Sequence, residues 1–202
     1  MTQHPGILGV TGNLGTGKST FSNKISTKLK AAHFSSDSRV QDLLHNDPIV
    51  EEQIRSAFGE DAYLREGRPN KPYLRRMIFA DARLRKTLET ILHPRVRSTY
   101  VELIDSCRAE RRGAIIEIPL LFETGAEKFF DAVICVACTE GVQLGRLETF
   151  RSIQRKEAKK MIATQWPIEQ KCELSHHVVW NDGSLTALEM QIDYLSCLFT
   201  HA

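Results

Sequence analysis

A chain of 202 residues, 42% hydrophobic and 26% charged, has the makeup of a water-soluble domain with a packed core, which excludes a disordered tail or a fibre. Its 27 basic and 25 acidic residues leave a formal charge of +2, too small a total to demand a polyanionic partner such as nucleic acid or an acidic membrane surface. No run approaches the roughly 18 apolar residues of a spanning helix, and residues 1–6 lack the basic-then-apolar layout of a secretory signal, so a cytoplasmic protein with no membrane partner is expected.

In chain order, Ile7-Leu8-Gly9-Val10-Thr11 is a short apolar run that ends in a glycine-rich stretch, as a strand feeding a loop does. A helix follows. Phe21, Ile25 and Leu29 recur at four-residue spacing with Asn23, Lys24 and Lys28 between them, so one face can pack on a sheet. Ala32-His33-Phe34-Ser35 reads as a second strand and closes a β-loop-α-β unit. From Arg39 to Arg112 the sequence turns charged and helical, with Pro48, Gly59, Gly67, Pro69, Pro72 and Pro94 marking breaks. This stretch predicts a helical insertion.

Ala114 to Ile118 is the next strong strand, followed by Pro119 and Leu120-Leu121-Phe122, and Ala132 to Ala137 is another. Continuously apolar strands separated by helices predict a parallel sheet covered on both faces. Glu140 to Lys171 is charged and helical, and Arg151, Arg155 and Lys159 at four-residue spacing predict one basic stripe. Val178-Val179-Trp180 reads as a last strand stopped by Asn181-Asp182-Gly183, with Trp180 expected in the core. Leu188, Ile192 and Leu195 then mark a closing amphipathic helix.

The 5 cysteines are an odd number scattered along half the chain, which argues against a disulfide framework. Cys135 and Cys138 form a C-x-x-C, but strand positions three apart point to opposite faces, so plain core cysteines are the better reading. Cys172 with His176 and His177 is a second possible ligand group, short of partners for a metal.

Gly12-Asn13-Leu14-Gly15-Thr16-Gly17-Lys18-Ser19 matches G-x-x-x-x-G-K-[ST] between a predicted strand and a predicted helix, the context that gives the motif meaning. The glycines let the backbone curl so that successive N–H groups face a phosphate, and the helix N-terminus adds its positive end. Lys18 can bridge β- and γ-phosphates, and the Ser19 hydroxyl can ligate Mg²⁺. A guanine-reading N-K-x-D is absent, and a motor ATPase would be far longer. A small ATP-dependent phosphotransferase remains, in which a helical insertion holds the acceptor and a basic lid closes.

The ordered set of markers resembles the dephospho-CoA kinase family over nearly the whole chain. It comprises Gly9-Val10-Thr11-Gly12, then Gly15 to Thr20, Asp37, Ile78-Phe79-Ala80, Leu92-His93-Pro94, Ile118 to Glu123, Gln143-Leu144 with Arg146-Leu147, and Asn181 to Ser184. The resemblance implies an α/β P-loop kinase fold: a nucleotide-binding core of residues 1–38, 113–140 and 178–202, an acceptor-binding insertion over 39–112, and a lid over 141–177. It also implies ATP and dephospho-CoA as substrates, Mg²⁺ as cofactor, and phosphorylation of the ribose 3′-hydroxyl to give coenzyme A and ADP. No obligate protein partner is indicated.

By the same resemblance, Asp37 is the candidate base, with Lys18 and Arg146 as catalytic cations. Gly12, Asn13, Leu14, Gly15, Thr16, Gly17, Lys18, Ser19, Thr20, Asn181 and Gly183 are assigned to ATP, Phe79 and His93 to the acceptor, and Ser19 to the metal. Asp37 alone also reads as a helix cap, Phe79 as core, and Glu117 either as an outer Mg²⁺ partner or as a strand-end residue. The chain departs from the family where Ser35-Ser36-Asp37 stands for D-x-D and Phe150-Arg151 for an Arg-Asp pair. Two other readings stay open: a nucleoside or nucleotide kinase of the same build and, because of these departures, a nucleotide-binding regulator that has lost catalysis.

Overall fold

In the computed structural model, which describes residues 6–201, β1 (Ile7–Thr11), β2 (Ala32–Ser35), β3 (Ala114–Glu117), β4 (Ala132–Ala137) and β5 (His177–Trp180) form one sheet in the order β2-β3-β1-β4-β5. Every neighbouring pair is parallel. The registers Val10↔Glu117, Ser35↔Glu117, Thr11↔Cys135 and Ala137↔Trp180 bring all the strands' carboxyl ends to one edge. Ligands of open α/β sheets bind at such an edge, where the strand order reverses. Here the reversal falls around β1, flanked by β3 and β4.

β1, β3 and β4 are buried at every position, which is why their sequences are continuously apolar instead of alternating. Helix α1 (Lys18–Leu29) lays Phe21, Ile25 and Leu29 on the sheet. These join Leu8, Val10, Ile115, Ile134, Val136, Val179, Leu188, Ile192 and Leu195 in one core. The last three come from α9 (Leu185–His201), which also meets α1 through the exposed pairs Lys24–Glu189 and Lys28–Asp193. Such surface pairs contribute about 0–1 kcal/mol each, so burial holds the two helices in place.

The chain divides into two compact units, residues 1–35 with 103–202, and residues 36–102. The second unit holds α2 (Ser36–Asn46), α3 (Pro48–Phe58), a 3-10 turn at Glu60–Ala62, α4 (Lys71–Ala80) and most of α5 (Ala82–Ala109). Pro48 opens α3 behind Asp47, whose carboxylate accepts from the Ile49 and Val50 N–H groups at 2.9 and 3.1 Å. Pro72 lies in the first turn of α4 behind the Asn70 cap. Pro94, however, does not break its helix: α5 runs straight through it. A proline there removes one backbone donor, and the Arg95 guanidinium gives the nearby Ile91 carbonyl a bond at 2.8 Å.

The charged segment after β4 forms α6 (Glu140–Arg151), α7 (Arg155–Ile162) and α8 (Ile168–Leu174). The predicted basic stripe is not there, because α6 ends at Ser152 with φ +52° and α7 starts afresh at Arg155. Arg155 faces Glu148 at 3.6 Å and Lys159 faces Glu140 at 3.2 Å. Among the described residues no helix is long and apolar enough to cross a membrane.

Phe21 is fully buried where α1 meets the sheet. Phe21→Ala is expected to cost about 3–5 kcal/mol of folding free energy. Urea unfolding monitored by circular dichroism checks it.

Candidate functional site

The loop between β1 and α1 carries three glycines with positive φ: Gly12 at +138°, Gly15 at +82° and Gly17 at +94°. Two of these positions exclude any side chain by contact as well as by conformation. A Cβ at Gly12 would lie 2.2 Å from the Val136 carbonyl oxygen, and one at Gly17 would lie 2.3 Å from Asn181 Nδ2. The loop is therefore threaded between β4 and the turn after β5.

Its polar atoms are tied from all sides. The Asn13 carbonyl accepts from the Thr16 hydroxyl at 2.9 Å, from the Thr16 N–H at 3.3 Å and from Lys18 Nζ at 2.9 Å. The Leu14 N–H donates to Gln165 Oε1 at 2.8 Å, the Leu14 carbonyl accepts from Gln143 Nε2, and Asn13 Nδ2 donates to the Trp166 carbonyl at 3.1 Å. Asn13 and Leu14 thus scaffold the loop. Leu14 also packs on a small core of Leu144, Leu147, Ile153 and Ala158.

Arg146 and Asn181 converge on the far side of the loop. Asn181 is buried, and its Nδ2 donates to the Thr16 carbonyl at 2.8 Å. Arg146 Nη2 donates to the Asn181 carbonyl at 2.8 Å and Nη1 to the Thr16 carbonyl at 3.3 Å. A guanidinium carries more donors than these two bonds use, so the clamp leaves capacity for an anion. Asp182 accepts from the Thr139 N–H and from Trp180 Nε1, both at 2.8 Å, and the Thr139 backbone bond is the main cause of its lowered pKa. Trp180 is therefore not a core residue: it is about half exposed, with its indole hydrogen-bonded to the turn. Gly183 sits in that turn against Ala187.

Ser19 and Thr20 are exposed at the start of α1. Ser19 Oγ donates to Glu117 Oε1 at 2.8 Å, while Glu117 Oε2, buried at the end of β3, has no hydrogen-bond partner. A buried carboxylate oxygen left bare beside a hydroxyl is costly unless something positive completes it.

Asp37, Phe79 and His93 belong to the second unit. Asp37 lies exposed in the first turn of α2, two residues after the end of β2. Phe79 is 45% exposed on α4, so it is no core residue. His93 lies inside α5 and does not end it, and burial is the main cause of its lowered pKa.

Cys135 and Cys172 sulfurs lie 3.7 Å apart, and burial raises both thiols above the ordinary range. His176 Nδ1 accepts from the Val133 N–H at 3.0 Å, and His177 packs edge-on against Phe199. Among the described residues no three His, Cys, Asp or Glu side chains gather for a metal ion.

Sequence reasoning passed over Gln165, Trp166 and Lys171, which join the loop to the segment after β3. Lys171 Nζ is buried against Glu123 and the Pro119 carbonyl. The one sign of it in the sequence is Glu123 closing the Ile118 to Glu123 marker, a carboxylate that follows an apolar run and needs a partner.

A family model described as dephospho-CoA kinase matches residues 6–187. A Chlorobaculum tepidum protein named dephospho-CoA kinase is 31% identical over 194 residues, covering 94% of this chain and 92% of its own. A Thermus thermophilus crystal structure aligns at TM-score 0.77 and 30% identity, over 96% of this chain and 98% of the other. A Campylobacter jejuni structure titled dephospho-CoA kinase aligns at TM-score 0.71 and 24% identity, over 96% and 97%, and is similar in fold.

Gly17→Ala forces a side chain onto Asn181 at a left-handed position. Strain of about 1–3 kcal/mol is expected to fall on the loop. Calorimetric titration should find ATP bound about tenfold or more weakly, with the thermal unfolding midpoint moved far less than by Phe21→Ala.

Proposed function

The chain belongs to the dephospho-CoA kinase family, and from that premise we propose that its residues carry the γ-phosphoryl group of ATP to the ribose 3′-hydroxyl of dephospho-CoA, the last step of coenzyme A synthesis. The observation that carries this reading is the phosphate loop, held open at the carboxyl edge of the sheet in a chain matched to the family from residue 6 to residue 187. Neither a nucleoside kinase nor a degenerate regulator is favoured by that match.

In this reading residues 1–38, 113–140 and 178–202 hold ATP, residues 39–112 hold the acceptor, and residues 141–177 close over the phosphates. The N–H groups of Gly15, Gly17, Lys18, Ser19 and Thr20 face the β-phosphate at the positive end of α1, and Thr16, whose N–H goes to the Asn13 carbonyl, shapes the turn that presents them. Gly12, Asn13 and Leu14 give the loop its curl, and Asn181 and Gly183 border the adenine. Lys18 exchanges the Asn13 carbonyl for phosphate oxygens, and Arg146 neutralises charge on the transferring group. Asp37 accepts the proton of the 3′-hydroxyl as its oxygen bonds to the γ-phosphorus and the bond to the β-phosphate oxygen breaks, releasing ADP. Phe79 and His93 bind the acceptor, Phe79 by stacking from its exposed position on α4.

Ser19 and Glu117 suit Mg²⁺: hard oxygen donors 2.8 Å apart, one of them on a carboxylate whose second oxygen is bare. When bound, the ion supplies positive charge to the phosphate oxygens. Ser35 stands where the family has its first Asp and adds no charge, so Glu117 bears more of that role here.

Acceptor-dependent ADP release tests the reading directly. Turnover is expected with dephospho-CoA and not with nucleosides; full activity on a nucleoside without dephospho-CoA turnover would refute it. Asp37→Asn should leave ATP affinity near normal while kcat falls by about two to four orders of magnitude. Glu117→Gln should raise the Mg²⁺ concentration needed for half-maximal rate by about tenfold, read from a metal titration at saturating ATP.

A further inference from the structure

Lys171 is the one lysine whose side chain is 0% exposed among the ion pairs of the described residues, and it lies within α8, outside the phosphate loop. Its Nζ forms an ion pair with Glu123 Oε1 at 2.7 Å and donates to the Pro119 carbonyl at 2.7 Å. Glu123 is itself only 13% exposed; the same Oε1 accepts from the Trp166 N–H at 3.0 Å, and Oε2 is buried with no hydrogen-bond partner. The Pro119 carbonyl also accepts from the Thr11 hydroxyl at 3.2 Å, at the end of β1.

These bonds continue directly into the phosphate loop. The Trp166 carbonyl holds Asn13 Nδ2, and the adjacent Gln165 side chain holds the Leu14 N–H. Residues 165–171 are therefore fastened at one end to the segment after β3 and at the other to the loop that follows β1. A buried ion pair of this kind is weak evidence for stability, since apolar side chains of similar volume often serve as well. What an apolar pair cannot supply is direction: a carboxylate held by an ammonium fixes one oxygen in front of the Trp166 N–H.

We propose that the Lys171–Glu123 pair is a positioning device for ATP binding. It sets the backbone at Gln165 and Trp166, which sets Asn13 and Leu14, which sets the curl of the loop that receives the phosphates. Lys171 touches no phosphate and acts through Gln165. Its effect falls on ATP and spares the acceptor, whose residues lie elsewhere in the chain. The inference builds on the kinase reading above, yet its first readout needs no acceptor.

The test is a calorimetric titration of the full-length protein with ATP and Mg²⁺, followed by steady-state kinetics in both substrates. Lys171→Met, which keeps the apolar stem, is expected to weaken ATP binding by about tenfold while the KM for dephospho-CoA stays within about twofold. Gln165→Ala removes only the link to Leu14, leaving the Trp166 carbonyl on Asn13, and should give a loss of the same kind. The double variant should lose no more than the worse single one, because both act along one route. Unchanged ATP affinity in folded Lys171→Met, equal weakening toward both substrates, or additive losses in the double variant would each overturn the proposal. Should Lys171→Met fail to fold, Gln165→Ala decides alone, and unchanged ATP affinity there overturns it. A wild-type protein that binds ATP but does not turn over dephospho-CoA would refute the kinase reading and leave this titration meaningful.

Discussion

The phosphate loop can hold its shape only because the protein occupies the space on every side of it. Gly12 lies against the Val136 carbonyl, Gly17 against Asn181, and Gly15 against Leu147, so the curl is imposed from outside as much as permitted from within. The parallel sheet makes this possible. β1 delivers the loop between β3 and β4, and β5 returns the chain to the turn that carries Asn181. Glycine is costly in a flexible chain, and here the surrounding contacts remove that flexibility before a ligand arrives. Preorganisation of this kind is what phosphoryl transfer asks of a protein, since positioning and charge neutralisation do most of the work.

The near-zero net charge conceals a division of roles among the cations. Lys24, Lys28, Arg155 and Lys159 are exposed and face carboxylates, as solvated helix surfaces do. Lys18 and Arg146 instead reach main-chain carbonyls of the loop and its neighbour, where a polyphosphate can draw on them. Lys171 is buried against a carboxylate and serves geometry. A small total charge is thus compatible with a strongly anionic substrate, because the charges that matter are sorted by burial and by partner.

β1, β3 and β4 were readable from sequence because strands buried on both faces leave unbroken apolar runs, while the edge strands β2 and β5, with His33 and Trp180 exposed, were readable only as short stretches between helical segments; all five appear within one residue of the expected positions. The phosphate loop was readable because glycine, lysine and serine at fixed spacing have one physical use in that context. Pro94 misled because one missing donor does not outweigh the helix-forming sequence on either side of it, and α5 runs on from Ala82 to Ala109. The basic stripe misled because four-residue spacing says nothing of a chain that turns at Ser152 in between. Trp180 misled because an indole with a carboxylate at hand can sit at the surface. Gln165, Trp166 and Lys171 left almost no trace, since their roles rest on contacts with residues more than forty positions away. Pairings of that range have no local periodicity.

The central claim is that the loop is held in its phosphate-binding shape before ATP arrives. Backbone amide hydrogen exchange, followed residue by residue in the nucleotide-free protein, tests it most directly. Leu14, whose N–H is given to Gln165, and Thr16, whose N–H is given to the Asn13 carbonyl, should exchange as slowly as neighbouring amides of β1. Exchange of both at the rate of an open, solvent-exposed loop, slowing only when ATP is added, would contradict the account.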